Sequence, residues 1–260
     1  MMSEKPEGIT RVRRTSADLR AEWERNSPGF IAWARTPDHD SYDKFHRDLF
    51  LRIVPAPGRR TLDLGCGEGR LSRDLAVLGH RMVGLDASPA MVEAASERGP
   101  SIPVCRADAA RIPLADGSFD LVMAFMSLQD VDDVVGAIRE SARVLEPGGR
   151  LCLAVVHPLN SAGLFESDAA DSGFRIDASY LDVWFSEDTV VRDGMEVVFA
   201  SAHRPLHAYV DAITDAGLLI ERLAEPSVPE YAIEHERSRR WQRMPLFLHV
   251  RAVKPFTEVH

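Results

Sequence analysis

Cysteine is scarce. Cys66, Cys105 and Cys152 are the three in 260 residues, an odd number with no Cys-x-x-Cys spacing. That excludes a disulfide framework and fits a reducing, cytoplasmic setting. Long apolar runs are lacking too, and none approaches the ~20 residues that span a bilayer. The opening Met1-Met2-Ser3-Glu4-Lys5-Pro6 has no apolar core of the kind a secretory signal needs. Basic charge is in deficit, since 31 Lys+Arg against 40 Asp+Glu leave a net charge of −9. A dedicated nucleic-acid binder usually shows the opposite balance. No internal repeat or low-complexity segment stands out. What remains is ordinary globular composition, 45% hydrophobic and 27% charged. The length suits one large domain, or one domain with an elaboration.

Local patterning divides the chain. Residues 1–15 are polar, and the cluster Arg11-Val12-Arg13-Arg14 reads as part of a mobile tail. Helical periodicity follows over 17–26 and 42–54, with Phe45, Leu49, Phe50 and Ile53 on one face of the second stretch. Pro28-Gly29 and Thr36-Pro37-Asp38 read as breaks, and Pro55-Ala56-Pro57-Gly58 as a stop. Beyond it, short apolar runs alternate with helical segments. Strands are predicted at 61–64, 81–85, 103–106, 119–125 and 151–156, and helices at 71–78, 89–98 and 134–144. Near-continuous apolar strands in such alternation mean a parallel sheet covered on both faces, a doubly wound α/β fold. The rhythm lapses over 158–204, where 190–199 reads as a hairpin turned by Asp193-Gly194. An insert there, after the fifth strand, is placed to act as a lid. A helix at 205–216 and strands at 218–223 and 246–253 complete the pattern. The expected organisation is an N-terminal tail and helical cap over 1–56, a ligand-binding core over 57–157, the insert over 158–204, and the rest of the sheet over 205–260.

Chemistry concentrates at the strand ends. Leu62-Asp63-Leu64-Gly65-Cys66-Gly67-Glu68-Gly69-Arg70 is a glycine-rich turn between a strand and a helix. Backbone without Cβ atoms lets a ligand approach closely. A dinucleotide fingerprint is Gly-x-Gly-x-x-Gly, whereas here the glycines alternate and Arg70 takes the sixth position. Asp63 beside the turn suits a cationic ligand group and would repel a pyrophosphate. Asp86 ends the next strand about twenty residues on, where nucleoside sites place a ribose-binding acid. The stretch Asp86-Ala87-Ser88-Pro89 also starts a helix, with Ser88 as N-cap and Pro89 at the first helical position. Asp108 follows the third strand, so three acids share one sheet edge. Its carboxylate and the Ala109 N–H form a donor–acceptor pair that can read adenine.

These stretches, with Ser118-Phe119-Asp120-Leu121-Val122 and Arg143-Val144-Leu145-Glu146-Pro147-Gly148-Gly149, resemble the class I S-adenosylmethionine-dependent methyltransferases. The resemblance is to the small-molecule branch similar to ubiquinone/menaquinone-biosynthesis enzymes, and it covers about residues 57–156. It implies a Rossmann-like, doubly wound seven-stranded sheet with its last strand antiparallel, and S-adenosyl-L-methionine as cofactor, released as S-adenosyl-L-homocysteine. It also implies that Gly65 and Gly67 line the methionine part, Asp86 binds the ribose and Asp108 with Ala109 the adenine, with Asp63, Cys66 and Ala87 also in the cofactor site. Met126 and the residues after it, Gln129 among them, would border the transferred methyl and the acceptor. The N-terminal segment offers Tyr42 and Arg35 to the cofactor carboxylate.

Methyl transfer is an in-line displacement that depends on alignment, and it needs a base only when the nucleophile arrives protonated. His157, directly after the fifth strand, and His203, where the insert rejoins the core, are candidates for that base. Each also reads as a structural residue, or as a cap for the helix that begins near Pro205. Arg204 suits an anionic substrate group or an inter-element salt bridge. Phe165, Phe174, Tyr180, Trp184 and Phe185 either cover an apolar substrate or form the insert's own core. No histidine spacing suggests a metal, the i, i+4 pair His203 and His207 lacking further ligands. The expected partner is a small-molecule acceptor, with neither nucleic acid nor membrane, for a monomer or homodimer in the cytoplasm. The stretch after the fourth strand lacks the Asn/Asp-Pro-Pro-aromatic signature of exocyclic-amine methylation. A protein or peptide methyltransferase, a non-catalytic cofactor-binding module and an NAD-dependent oxidoreductase are the competing readings. Against the last stand Arg70, Asp63 and Asp108.

Overall fold

The computed structural model describes residues 8–15 and 17–256. Its first half contains β1 (Gly8–Arg14), α1 (Leu19–Ala34), a π-helical turn (Tyr42–His46), α2 (Arg47–Leu51), β2 (Thr61–Leu64), α3 (Arg70–Val77), β3 (Met82–Asp86), α4 (Pro89–Arg98), β4 (Val104–Arg106) and β5 (Phe119–Phe125). Then come α5 (Val134–Val144), β6 (Leu145–Val156), α6 (Pro158–Ala162), β7 (Gly163–Phe165), β8 (Phe174–Ile176), β9 (Trp184–Arg192), β10 (Met195–His203), α7 (Leu206–Asp215), β11 (Leu219–Ala224) and β12 (Phe247–Val253).

Seven strands form the main sheet in the order β11-β12-β6-β5-β2-β3-β4, and β12 runs antiparallel to both of its neighbours. This is the Rossmann-like doubly wound sheet expected from the alternation of apolar strands and helices. The pleat sorts β5 between two cores. Val122 and Ala124 join the helices α5 and α7 on one face, while Leu121 and Met123 meet Phe50, Leu71 and Leu75 on the other. Strand order reverses between β2 and β5, whose carboxyl ends open the crevice where such sheets bind ligands.

Two expectations about the N-terminal segment fail. Residues 8–14 do not belong to a loose tail; they form β1, an edge strand paired antiparallel with β9. Acids far along the chain explain this, because Arg11 makes a two-pronged pair with Asp188 at 2.8 and 2.7 Å and Arg14 meets Glu187 at 2.8 Å. Residues 1–7 lie outside the described residues. Nor do Pro28-Gly29 break the first helix, since α1 runs straight through them. An interior proline costs about 3 kcal/mol, and tertiary packing offsets it here. Trp23, Phe30 and Trp33 gather edge-on around Phe199 of β10, and the Trp23 indole N–H donates to the Ala200 carbonyl at 2.8 Å.

The hairpin in the insert is longer than its sequence signal, spanning β9 and β10, with Asp193 and Gly194 both at positive φ (49° and 72°). The strand expected to begin at 151 starts at Leu145 and includes Pro147-Gly148-Gly149. The insert's aromatics resolve into local packing. Phe165 meets Phe174 and Trp241 edge-on, Trp184 stacks on His203 under the Arg13 guanidinium, and Phe185 packs beside Leu19 and Ala200.

Candidate cofactor and methyl-transfer site

The wholly buried β2 delivers the chain to the glycine turn. The Gly65 and Cys66 N–H groups both donate to the Leu85 carbonyl at 2.7 and 3.0 Å, which bends the backbone sharply off the strand. Gly65 has φ +71°, and a Cβ on it would sit 2.5 Å from the Ser127 Cβ. Ser127 is held there because its hydroxyl donates to the Leu64 carbonyl at 2.6 Å. The turn is therefore seated directly against the residues that follow β5. Met126, the first of them, is itself left-handed at φ 55°, an uncommon conformation for a residue with a side chain.

The three acids have different surroundings. Asp63 is buried beneath the turn, where it accepts from the Ser72 hydroxyl at 2.6 Å, and burial raises its carboxyl to about 6. Asp86 is half-buried and accepts the Gly67 N–H at 2.8 Å and the Ser88 N–H at 2.9 Å, one on each oxygen. Burial raises its carboxyl, while the N–H groups of Ser88, Gly67 and Ala87 pull it back down. A carboxylate has about four acceptor positions, so Asp86 retains capacity beyond the Gly67 and Ser88 bonds. Asp108 is exposed and accepts the Ala110 N–H at 2.8 Å, above the buried Ala109. Ser88 caps α4 as expected, accepting the Met91 N–H at 3.4 Å.

Helix α1 crosses this edge. The Leu19 N–H donates to Asp132 at 2.9 Å, and Ser27 and Ser88 share a hydroxyl–hydroxyl bond of 2.9 Å. Phe30 stands over Gly67, 3.8 Å from where a Cβ would be. The tightly packed Gly65, the bare backbone of Gly67 and the unspent acceptor positions on Asp86 fit an adenosyl ligand carrying a short amino-acid tail. Among the described residues, no group of three or more His, Cys, Asp or Glu side chains is arranged to hold a metal ion.

Arg35 and Tyr42 line one cleft of about 450 Å³, together with Arg70, Arg73, Asp74 and Arg98. The Tyr42 hydroxyl donates to Asp74 at 2.8 Å, and its ring lies 4.2 Å beneath the Arg70 guanidinium. Arg35 donates to the Ala94 carbonyl at 3.1 Å and to Glu97 at 3.2 Å.

Both candidate histidines are fully engaged. His157 caps α6, accepting the Leu159 N–H on Nδ1 at 3.1 Å, which leaves its Nε2–H to donate to Glu225 at 2.7 Å. His203 donates from Nε2 to the Tyr180 carbonyl at 2.9 Å, with Nδ1 2.7 Å from the Ser161 hydroxyl. Burial lowers the pKa of both rings. The Arg204 guanidinium donates to the carbonyls of Leu128, Gln129 and Val131 at 3.2, 3.3 and 2.6 Å, so it clamps the segment after β5. The Tyr180 hydroxyl accepts the Leu206 N–H at the start of α7, at 3.1 Å. Gln129 is buried beside Met126. Sequence reading missed Ser127, the contacts of α1, and Glu68. The last is a buried acid paired with Arg73 at 2.8 Å, and the Glu68-to-Arg73 spacing across the helix start is the signal that could have found it.

Residues 62–153 match a family model described as a methyltransferase domain. The demethylmenaquinone methyltransferase of Beutenbergia cavernae is 44% identical over 113 residues, which cover 43% of this chain and 47% of that protein. That of Corynebacterium kroppenstedtii is 36% identical over 100 residues, covering 38% and 43%. The chain spans about half the length of the curated relatives it matches. Among solved structures, an S-adenosylmethionine dependent methyltransferase from Mesorhizobium loti superposes with a TM-score of 0.67 at 27% identity, over 83% of this chain and 99% of its own.

Proposed function

We propose that this chain, whose core is a class I S-adenosylmethionine-dependent methyltransferase domain, moves a methyl group to an oxygen or nitrogen atom, rather than to carbon, of a small-molecule acceptor. The observation that carries this reading is the seating of Gly65 against Ser127, with Asp86 anchoring the same turn through Gly67 and keeping acceptor positions to spare. The cofactor supplies a methyl group activated on a cationic sulfur. The backbone of Gly65, Cys66 and Gly67 holds its amino-acid portion, with the buried carboxyl of Asp63 behind them. Asp86 and Ala87 receive the ribose hydroxyls, and Asp108 with Ala109 the adenine edge. Arg35 and Tyr42, which line one cleft, are assigned to the cofactor carboxylate. Met126 turns the chain so that the residues after it border the acceptor.

A small acceptor is supported by the relatives being named for a menaquinone precursor and by the net charge of −9. No helix among the described residues is long and apolar enough to cross a membrane. The reading places the protein in the cytoplasm, as a monomer or homodimer.

A thermal-shift titration tests the cofactor assignment. A ligand at 100 times its Kd stabilises the native state by about 2.7 kcal/mol, which is roughly 5–10 °C of melting temperature for a chain of this size. S-adenosylmethionine and S-adenosylhomocysteine are each expected to raise the melting temperature by that amount, and NAD to leave it unchanged. A shift with NAD and none with the other two would overturn the reading.

A further inference from the structure

The segment after β5 leaves one buried polar atom unanswered. Gln129 is only 5% exposed. Its Nε2 donates to the Met126 carbonyl at 2.7 Å and to Asp130 Oδ2 at 3.3 Å, while its Oε1 is buried with no partner among the described residues. Exchanging the amide oxygen and nitrogen would set an oxygen against two acceptors, so the hydrogen bonds themselves fix the orientation. The orphan is thus an acceptor that none of the described residues satisfies, and it calls for an N–H or O–H donor.

Asp130 stands beside it. Its Oδ1 accepts the Ser201 hydroxyl from β10 at 2.7 Å and its Oδ2 accepts from Gln129. Burial holds its carboxyl well above the ordinary range, with Ser201, Arg204 and Gln129 pulling the other way. Arg204 is close but gives its guanidinium to the backbone carbonyls of this segment. Among the described residues Asp130 therefore has no ion-pair partner. Both side chains follow Met126 and Ser127, which seat the segment on Gly65. On the reading above, that is the edge where the methyl group is presented.

Resting on that reading, we propose that Gln129 Oε1 and the Asp130 carboxylate form the acceptor-side subsite, Gln129 receiving an N–H or O–H of the methyl acceptor and Asp130 taking its proton during transfer. The acceptor heteroatom's lone pair forms the bond to the methyl carbon, and the electron pair of the broken carbon–sulfur bond stays on sulfur. The heteroatom's proton passes to Asp130 and from there to solvent. This assigns the acceptor to hydroxyls and amines that still carry a hydrogen. It also gives the proton to a carboxylate rather than to His157 or His203, whose nitrogens are committed elsewhere.

Sinefungin provides the probe, because it carries an amine where the cofactor carries its transferable methyl. Calorimetry would compare sinefungin with S-adenosylhomocysteine on wild-type protein, Gln129→Leu and Asp130→Asn. Wild-type protein is expected to prefer sinefungin by about tenfold, the factor expected of a charge-assisted hydrogen bond. Each variant should lose most of that preference and keep its affinity for S-adenosylhomocysteine within about twofold, which also reports that the variant has folded. Equal losses for both ligands would place the pair at the cofactor's amino-acid end, and no loss for either would leave it without a ligand; both outcomes overturn the proposal. Should a variant not fold, a crystal structure of the wild-type sinefungin complex decides. The amine must lie within hydrogen-bond distance of Gln129 Oε1 or Asp130, and placement elsewhere contradicts the subsite. Wild-type protein that binds neither ligand would instead remove the methyltransferase reading, and this subsite with it.

Discussion

Alanine at Gly65 is expected to destabilise the protein by about 2–5 kcal/mol and to abolish measurable binding of S-adenosylhomocysteine. Two costs add. A side chain in the left-handed region costs about 1–2 kcal/mol, and Gly65 sits at φ +71°. Its new Cβ would also lie 2.5 Å from the Ser127 Cβ, and forcing a packed contact apart costs about 1–3 kcal/mol. Ser127 cannot simply rotate aside, because Cβ is fixed by the backbone and its hydroxyl is tied to Leu64. The relief must come from moving the turn off the 126–130 segment, which opens the pocket wall. Gly194 supplies the control, having a similar φ of +72° with none of the described residues within 4 Å of the added Cβ. Gly194→Ala should cost only the backbone share, about 1–2 kcal/mol, and leave ligand binding intact. Urea denaturation and calorimetry on both variants check this. Equal destabilisation of the two, or normal binding by Gly65→Ala, would show that the turn is not packed as described.

The second large effect is expected at Asp86. Removing its carboxylate in Asp86→Ala should weaken S-adenosylhomocysteine by about 1–3 kcal/mol, or roughly five- to 150-fold, by leaving ribose hydroxyls unpaired. The same change frees the Gly67 and Ser88 N–H groups, so a modest fall in melting temperature should accompany it. Asp108 is exposed and already works in its own turn. Its replacement by asparagine should cost under about 1 kcal/mol, the scale of one exposed hydrogen bond. Titration calorimetry on the three proteins reads the order. Wild-type affinity in Asp86→Ala would end the ribose assignment.

The sheet was readable in sequence because most of its strands are short apolar runs closed at or near their ends by glycine, proline or an acid, all of them local signals. The acids Asp63, Asp86 and Asp108 were readable for the same reason, since each lies within two residues of a strand end. What escaped depends on partners distant in the chain. Arg11 looks like part of a loose basic cluster until Asp188 lies opposite, and Pro28 looks like a helix end until Phe199 packs beneath the turns around it. The histidines make the same point about chemistry. Nothing next to His157 or His203 announces Glu225 or Ser161, and those partners direct both rings toward holding the fold together. Gln129 and Asp130 stood in plain view, yet only the fold shows which atom of the amide is left over.

The most direct measurement is a crystal structure of the protein grown with S-adenosylhomocysteine. It is expected to show both ribose hydroxyls on Asp86, the adenine between Asp108 and the Ala109 N–H, and the sulfur beside Gly65 facing Gln129. Density for the nucleoside at another surface, or an unchanged empty cleft at saturating ligand, would contradict the account at its root.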